Sequence, residues 1–305
     1  MDEITKELLE KTADLHQIPH GAYNIRKDGQ LLSRNCTTEI EIISKKDKDG
    51  IDIIVAPNTK NRSVHIPVII TQGGLDDLVY NDFYIGENCD VLIVAGCGIH
   101  NNTGQNSRHD GIHTFHIGKN AKVKYVEKHI GLGENAGEKN LNPTTQIHMQ
   151  ANSYFEMETI QLGGVNHSTR KTNATLDENA VLVINEKILT TDQQQAQTIF
   201  NVELVGNNSK VEVTSRSVAK DNSYQAFNSN IIGKAKCFGH VECDGIISQK
   251  AVINSIPQIS AQNIDATLVH EAAIGKISQE QIIKLMTLGL TQEEAEHQII
   301  TGFLS

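Results

Sequence analysis

Cysteine and histidine are the side chains of this sequence that can hold a soft metal, and they fall into two clusters. In the first, Cys97-Gly98-Ile99-His100 is followed by His109, His113 and His116, five soft or borderline ligands within twenty residues. Cys97 and His100 stand close enough in sequence for one metal. Gly111, Thr114 and Phe115 favour a strand over a helix, and a strand sends His113 and His116 to opposite faces, so not all of these can be co-ligands. The second cluster is Cys237-Phe238-Gly239-His240-Val241-Glu242-Cys243-Asp244. Strand parity puts Cys237, Gly239, Val241 and Cys243 on one small, apolar face that should point inward, with Phe238, His240 and Glu242 on the other. In one extended strand the two cysteine backbones lie about 20 Å apart, at roughly 3.3 Å per residue. They cannot share one small cluster, so further ligands must come from another rung, a loop or a second subunit.

Cys36 and Cys89 bring the thiols to five. An odd, scattered set is no disulfide framework, and without a Cys-x-x-Cys pair it is no zinc ribbon. Such thiols are buried small hydrophobes or ligands for iron–sulfur chemistry. Enzyme signatures are missing: there is no Gly-x-x-x-x-Gly-Lys-[Ser/Thr] loop, no Gly-x-Ser-x-Gly elbow and no His-Glu-x-x-His helix. If the chain serves an ATP-driven process, another chain must be the ATPase. A formal charge of −10 argues against nucleic-acid and anionic-membrane partners. No apolar run reaches the ~18 residues of a membrane span, and the N-terminus does not read as a signal peptide. A soluble, cytoplasmic protein is the expectation.

The elements that must position these residues are legible in the spacing. Ile4, Leu8 and Leu15 form a rough helical stripe, with Asp2 to cap it and Pro19-His20-Gly21 to end it. Beyond it the chain repeats. Gly86-Glu87-Asn88-Cys89 recurs as Gly118-Lys119-Asn120-Ala121, then around Asn152, Asn179 and Asn208, with Gly233 to Cys237 as a degenerate sixth copy. The five asparagines are 32, 32, 27 and 29 residues apart, each at a turn before alternating apolar residues. Two strands per such unit predict a mainly β protein with a right-handed parallel β-helix (solenoid) core, in preference to a β-sandwich. Near the end, Ser278-Gln279-Glu280-Gln281 and Thr291-Gln292-Glu293-Glu294 read as two capping boxes opening short helices, with Gly289 between them and Gly302 to end the second. The expected organisation is an N-terminal helix over 1–21, a solenoid over 22–273 and a two-helix tail over 274–305.

At the C-terminus one ordered string resembles the SufB/SufD family of iron–sulfur-cluster assembly scaffolds. It begins Cys243-Asp244-Gly245-Ile246-Ile247 and runs through Pro257, Asn263 and Ala266 to His270-Glu271-Ala272 and Lys276-Ile277. It ends with Gly289-Leu290-Thr291-Gln292-Glu293-Glu294-Ala295 and Ile300-Thr301-Gly302-Phe303. The chain looks like a compact, single-gene version of the scaffold. The resemblance implies a dimer of scaffold subunits, either two copies or this chain with a paralogue. It also implies an ABC-type ATPase, SufC, on the C-terminal helices. A transient iron–sulfur cluster would form at the subunit interface and pass to apo acceptor proteins.

Residue by residue, Cys243 matches the family's key thiolate and His270-Glu271 its His-Glu pair. Val269 stands where the family often has another acidic residue, and Ile259-Ser260 where it has a further cysteine. The expected cluster-binding residues are Cys243, His270 and Glu271, with Cys97 and Cys237 as further thiols. Cys243, Cys97 and His270 are the expected metal ligands. Docking of the ATPase falls to the tail over 276–303, through Lys276, Ile277, Ile282, Ile283, Leu285, Met286, Leu290, Ile299, Ile300 and Phe303. The expected role is a scaffold and not an enzyme. The competing reading is an adaptor whose tail recruits an ATPase without binding metal.

Overall fold

A computed structural model describes residues 2–13, 15, 21–133 and 137–305. The first helix, α1 (Glu3–Ala13), is capped by Asp2, whose Oδ1 accepts from the Thr5 N–H at 2.8 Å. Leu8 is fully buried, whereas Ile4 of the anticipated stripe stays exposed. The anticipated stop at Pro19-His20 lies outside the described residues.

Twenty strands follow. They begin with β1 (Ala22–Lys27), β2 (Gln30–Asn35), β3 (Ile40–Ser44), β4 (Gly50–Val55) and β5 (Lys60–Ile70). Next come β6 (Asp76–Ile85), β7 (Asp90–His100), β8 (Ser107–Ile117), β9 (Lys122–Leu132) and β10 (Lys139–Leu141). Then come β11 (Thr144–Met149), β12 (Tyr154–Leu162), β13 (His167–Leu176), β14 (Val181–Thr190) and β15 (Gln195–Leu204). The last are β16 (Lys210–Ala219), β17 (Tyr224–Gly233), β18 (Phe238–Ile247), β19 (Val252–Ala261) and β20 (Thr267–Gly275).

These strands form two facing sheets. The first runs β2-β1-β5-β7-β9-β12-β14-β16-β18-β20, and the second β19-β17-β15-β13-β10-β8-β6-β4-β3, with β11 also joining β8 and β13. Strands adjacent in space are one turn apart in sequence and parallel, which excludes the sandwich. The result is the expected parallel β-solenoid, of about eight turns. Among the described residues, antiparallel pairs occur only in the hairpins β1–β2 and β3–β4 at the N-terminal end.

The repeated asparagines make the corners. Asn88, Asn120, Asn152, Asn179 and Asn208 all have φ between 55° and 60°, the left-handed conformation that asparagine tolerates better than other residues with side chains. Their amides also stack. Asn120 Nδ2 donates to Asn88 Oδ1 at 3.1 Å, Asn179 to Asn152 at 3.0 Å, and Asn208 to Asn179 at 3.2 Å. Inside, period-two alternation aims apolar side chains at one continuous core. Phe83 stacks on Phe115 at 4.2 Å, and Phe115 meets Phe155 edge-on at 5.1 Å. Burying each such ring contributes roughly 1.5–3 kcal/mol.

α1 lies on the outer face of the first sheet, where glycines let it come close. A Cβ on Gly96 would stand 2.5 Å from Thr12 O, and one on Gly98 2.8 Å from Leu8 Cδ2. At the other end, α2 (Gln279–Met286) and α3 (Gln292–Leu304) form the tail. The second capping box exists in full: Thr291 Oγ1 accepts from Glu294 N–H, and the Glu294 carboxylate accepts from Thr291 N–H. The first does not, because Ser278 makes no side-chain cap bond. Nor does Gly302 end α3, which continues to Leu304. With no neighbour within 4 Å of its Cβ position, Gly302 bears no turn geometry and is carried as a helical residue.

Candidate cluster site at the open end of the solenoid

β18 and β20 are the last two strands of the first sheet, and β19 is the last of the second. Parity along β18 turns Gly239, Val241 and Cys243 inward and leaves Phe238, His240 and Glu242 on the outer side, as the sequence predicts. Cys243 is only 3% exposed. It stands in register with Ser215 of β16 on one side and Ala272 of β20 on the other. From the facing wall Ser255 donates its hydroxyl to Cys243 Sγ at 3.4 Å. Burial pushes the thiol pKa up to about 11.

His270 pairs in register with inward-facing Val241, so its ring enters the lumen two positions along from Cys243 and one strand further out. Diagonal neighbours on a sheet have backbones roughly 7–8 Å apart. His270 Nε2 is buried and finds no hydrogen-bond partner among the described residues, and burial lowers its pKa. Imidazole nitrogen and thiol sulfur are both donor types that iron–sulfur chemistry uses. Glu271 does not join them. It pairs with Glu242 on the outer face, is 68% exposed, and approaches His240 Nε2 at 3.9 Å.

The other two expected thiols lie elsewhere. Cys237, buried in the turn before β18, sits at the far end of the rung from Cys243. Cys97 on β7 is five strands from β18, roughly 24 Å at about 4.8 Å per strand. It faces the lumen, whereas His100, three residues along, falls on the opposite face, so these two do not share a metal. His116 also faces outward, stacked between Tyr84 at 4.9 Å and His148 at 5.4 Å. Among the described residues no group of three or more His, Cys, Asp or Glu is arranged to hold a metal ion.

Cys97 borders a small cavity of about 10 Å³ lined by His109, His113, Glu127 and His129 together with Val68, Leu141 and Pro143. His109 Nδ1 pairs with Asp77 at 2.9 Å and His113 Nδ1 with the Tyr125 hydroxyl at 2.8 Å. Burial pushes His113 down to about 4 and raises the Cys97 thiol well above its ordinary value. Glu127 is ion-paired to Arg170, whose Nη2 also meets His129 Nδ1 at 3.3 Å. Burial opposes the Glu127 charge, but Arg170 and His129 hold its pKa well below the ordinary range.

Sequence reasoning misses a further feature, an inward polar column in register along the first sheet: Glu127, Thr159, Glu186, Ser215 and Cys243. Glu186 accepts from Thr198 Oγ1 and Ser215 Oγ, both at 2.8 Å. Its signal is a polar residue at one repeat phase, visible only once the unequal repeat lengths are aligned.

The end beyond these residues is open. Val252, Ile256, Ile259 and Ile274 on the last strands are exposed, Ile256 to 54%. In the tail, Ile282 and Ala295 are buried, so Ile282 supports the helix pair from inside. Ile283, Met286 and Leu288 are exposed, Leu288 to 76%, as is Lys276. Ile277, Leu285, Leu290, Ile299, Ile300 and Phe303 are half-buried. The tail returns to the solenoid at Arg216, whose Nη1 donates to Phe303 O at 3.3 Å.

The open end of the solenoid thus carries a buried thiol, Cys243, and the His270 imidazole, whose Nε2 finds no partner among the described residues. The profile of the SUF system FeS cluster assembly SufBD core domain matches residues 81–303. An iron–sulfur cluster assembly SufBD family protein of Archaeoglobus fulgidus is 30% identical over 285 residues, covering 92% of this chain and 73% of that protein. A Methanocaldococcus jannaschii protein of the same description is 27% identical, covering 86% and 84%, and one from Pyrococcus horikoshii is 26% identical, covering 90% and 84%. This chain belongs to the SufBD family of iron–sulfur cluster assembly proteins.

Proposed function

We propose that the chain is a non-catalytic scaffold on which an iron–sulfur cluster is built and from which it passes to apo acceptor proteins. The observation that carries this reading is the inward pair Cys243 and His270 at the unpaired end of the first sheet. Cys243 supplies thiolate, His270 a weaker imidazole ligand suited to a cluster that must leave, and a second subunit supplies the rest of the shell. The exposed isoleucines of β19 and β20 support dimerisation through that end, with another copy or a paralogue. Glu271 acts from the outer face, at the rim. Cys97, in its buried chamber, contributes as a thiol remote from the cluster and not as a co-ligand of Cys243. Exposed Ile283, Met286 and Leu288 support the tail as the docking surface of a SufC-like ABC ATPase.

The test is anaerobic reconstitution of the full chain with iron and sulfide, read by absorption and Mössbauer spectra. Cys243→Ser should lose most of the bound cluster, and His270→Ala should bind it more weakly. Wild-type loading in Cys243→Ser would sink the site assignment. The adaptor reading, also supported by the exposed tail, is favoured instead if the chain co-purifies with the ATPase and takes up no cluster.

A further inference from the structure

Cys243 lies between two hydroxyls, one from each sheet. Ser215, the neighbour on its own sheet, donates its hydroxyl hydrogen bond to Glu186 Oε2 at 2.8 Å. Ser255 comes from the facing wall, where β19 holds it in register with Phe227 of β17. Its hydroxyl donates to Cys243 Sγ at 3.4 Å, the sulfur's one hydrogen-bond donor among the described residues. Because β19 is the outermost strand of its sheet, this donor stands at the mouth of the lumen.

From this geometry we infer that Ser255 is a positioning residue for the cluster. Its O–H orients the Cys243 sulfur toward the mouth and goes on donating once that sulfur is bound to iron. Hydrogen bonds to cluster sulfurs stabilise the bound form and tune its potential. Removing the donor therefore makes the cluster leave sooner, and keeping a hydroxyl at this position preserves its lifetime. The inference rests on Cys243 being a cluster ligand.

The experiment uses the reconstituted full chain, challenged with an iron chelator under anaerobic conditions, with resonance Raman of the iron–sulfur stretches. Ser255→Ala should lose cluster about fivefold faster, the scale set by one ordinary hydrogen bond, with shifted iron–thiolate stretches. Ser255→Thr should match the wild type in both. Ser255→Val against Ser255→Thr repeats the comparison at constant shape, so a folding defect common to both cancels. Equal release rates and spectra in Ser255→Ala and wild type, or in the Val and Thr variants, overturn the inference while leaving Cys243 as ligand. Full loading in Cys243→Ser, by contrast, overturns the ligand reading and the role of Ser255 with it.

Discussion

Two buried side chains give the residue scale a pH signature. His113 is held neutral by burial, with a pKa pushed down to about 4. The unfolded chain takes up this proton near the ordinary value of 6.5 and the folded chain does not, so its contribution is intact above 6.5 and is lost as pH falls toward 4. Thermal melts between pH 7 and 4 should show a falling midpoint, and His113→Gln should flatten the decline. Cys243 has the opposite sign. Its thiol pKa is raised to about 11, so the folded state keeps a proton that the unfolded chain releases near 9.0. Stability is intact below 9 and falls as pH rises from there to 11, a decline that Cys243→Ala should reduce. The inward parity of Cys243 is legible in the sequence because period two needs no knowledge of neighbours. The partnership of Glu127 with Arg170, 43 residues away, is not, since it depends on which residue each rung sets above another.

At the scale of elements, the turns are the best-written part of the chain. Asn120→Ala should destabilise by about 1–2 kcal/mol, because alanine must adopt the left-handed angles and the amide stack is broken. Asn120→Gly should lose less, and urea melts separate the two. The glycines under α1 are equally specific. Gly98→Val should push Leu8 out of its seat and expose α1 to limited proteolysis, while the solenoid's far-UV signal is kept. These features are readable because the same residue recurs at each turn. The helix ends are less so: Ser278 and Gly302 carry the right residue types, yet the first makes no side-chain cap and the second sits within the helix. A terminus is decided by what packs beside it as much as by its own residues.

On the scale of the whole molecule, the tasks proposed for the mouth and the tail can be separated by substitution. Ile256→Asp, placing charge on the exposed last strand, should shift the protein to monomer in sedimentation and reduce cluster loading together, if the mouth is completed by a second subunit. If the tail docks an ABC ATPase as proposed, Ile283→Asp with Leu288→Asp should abolish co-purification with it and leave cluster loading at the wild-type level. The family and the solenoid are legible from the C-terminal string and the repeat. The division of His270 from Glu271 across the two faces is not, because adjacent residues read as a pair until a strand places them.

The two antiparallel hairpins at the beginning of the stack have a consequence for how many molecules can join. A solenoid with both ends bare has a valence of two, and head-to-tail addition would continue into a fibre. Here β1–β2 and β3–β4 turn the chain back on itself and break the parallel ladder at one end. Among the described residues, the mouth near Cys243 is then the end whose outermost strands both run parallel to their neighbours. Joining mouth to mouth consumes both such faces at once, so growth through this face terminates at a pair.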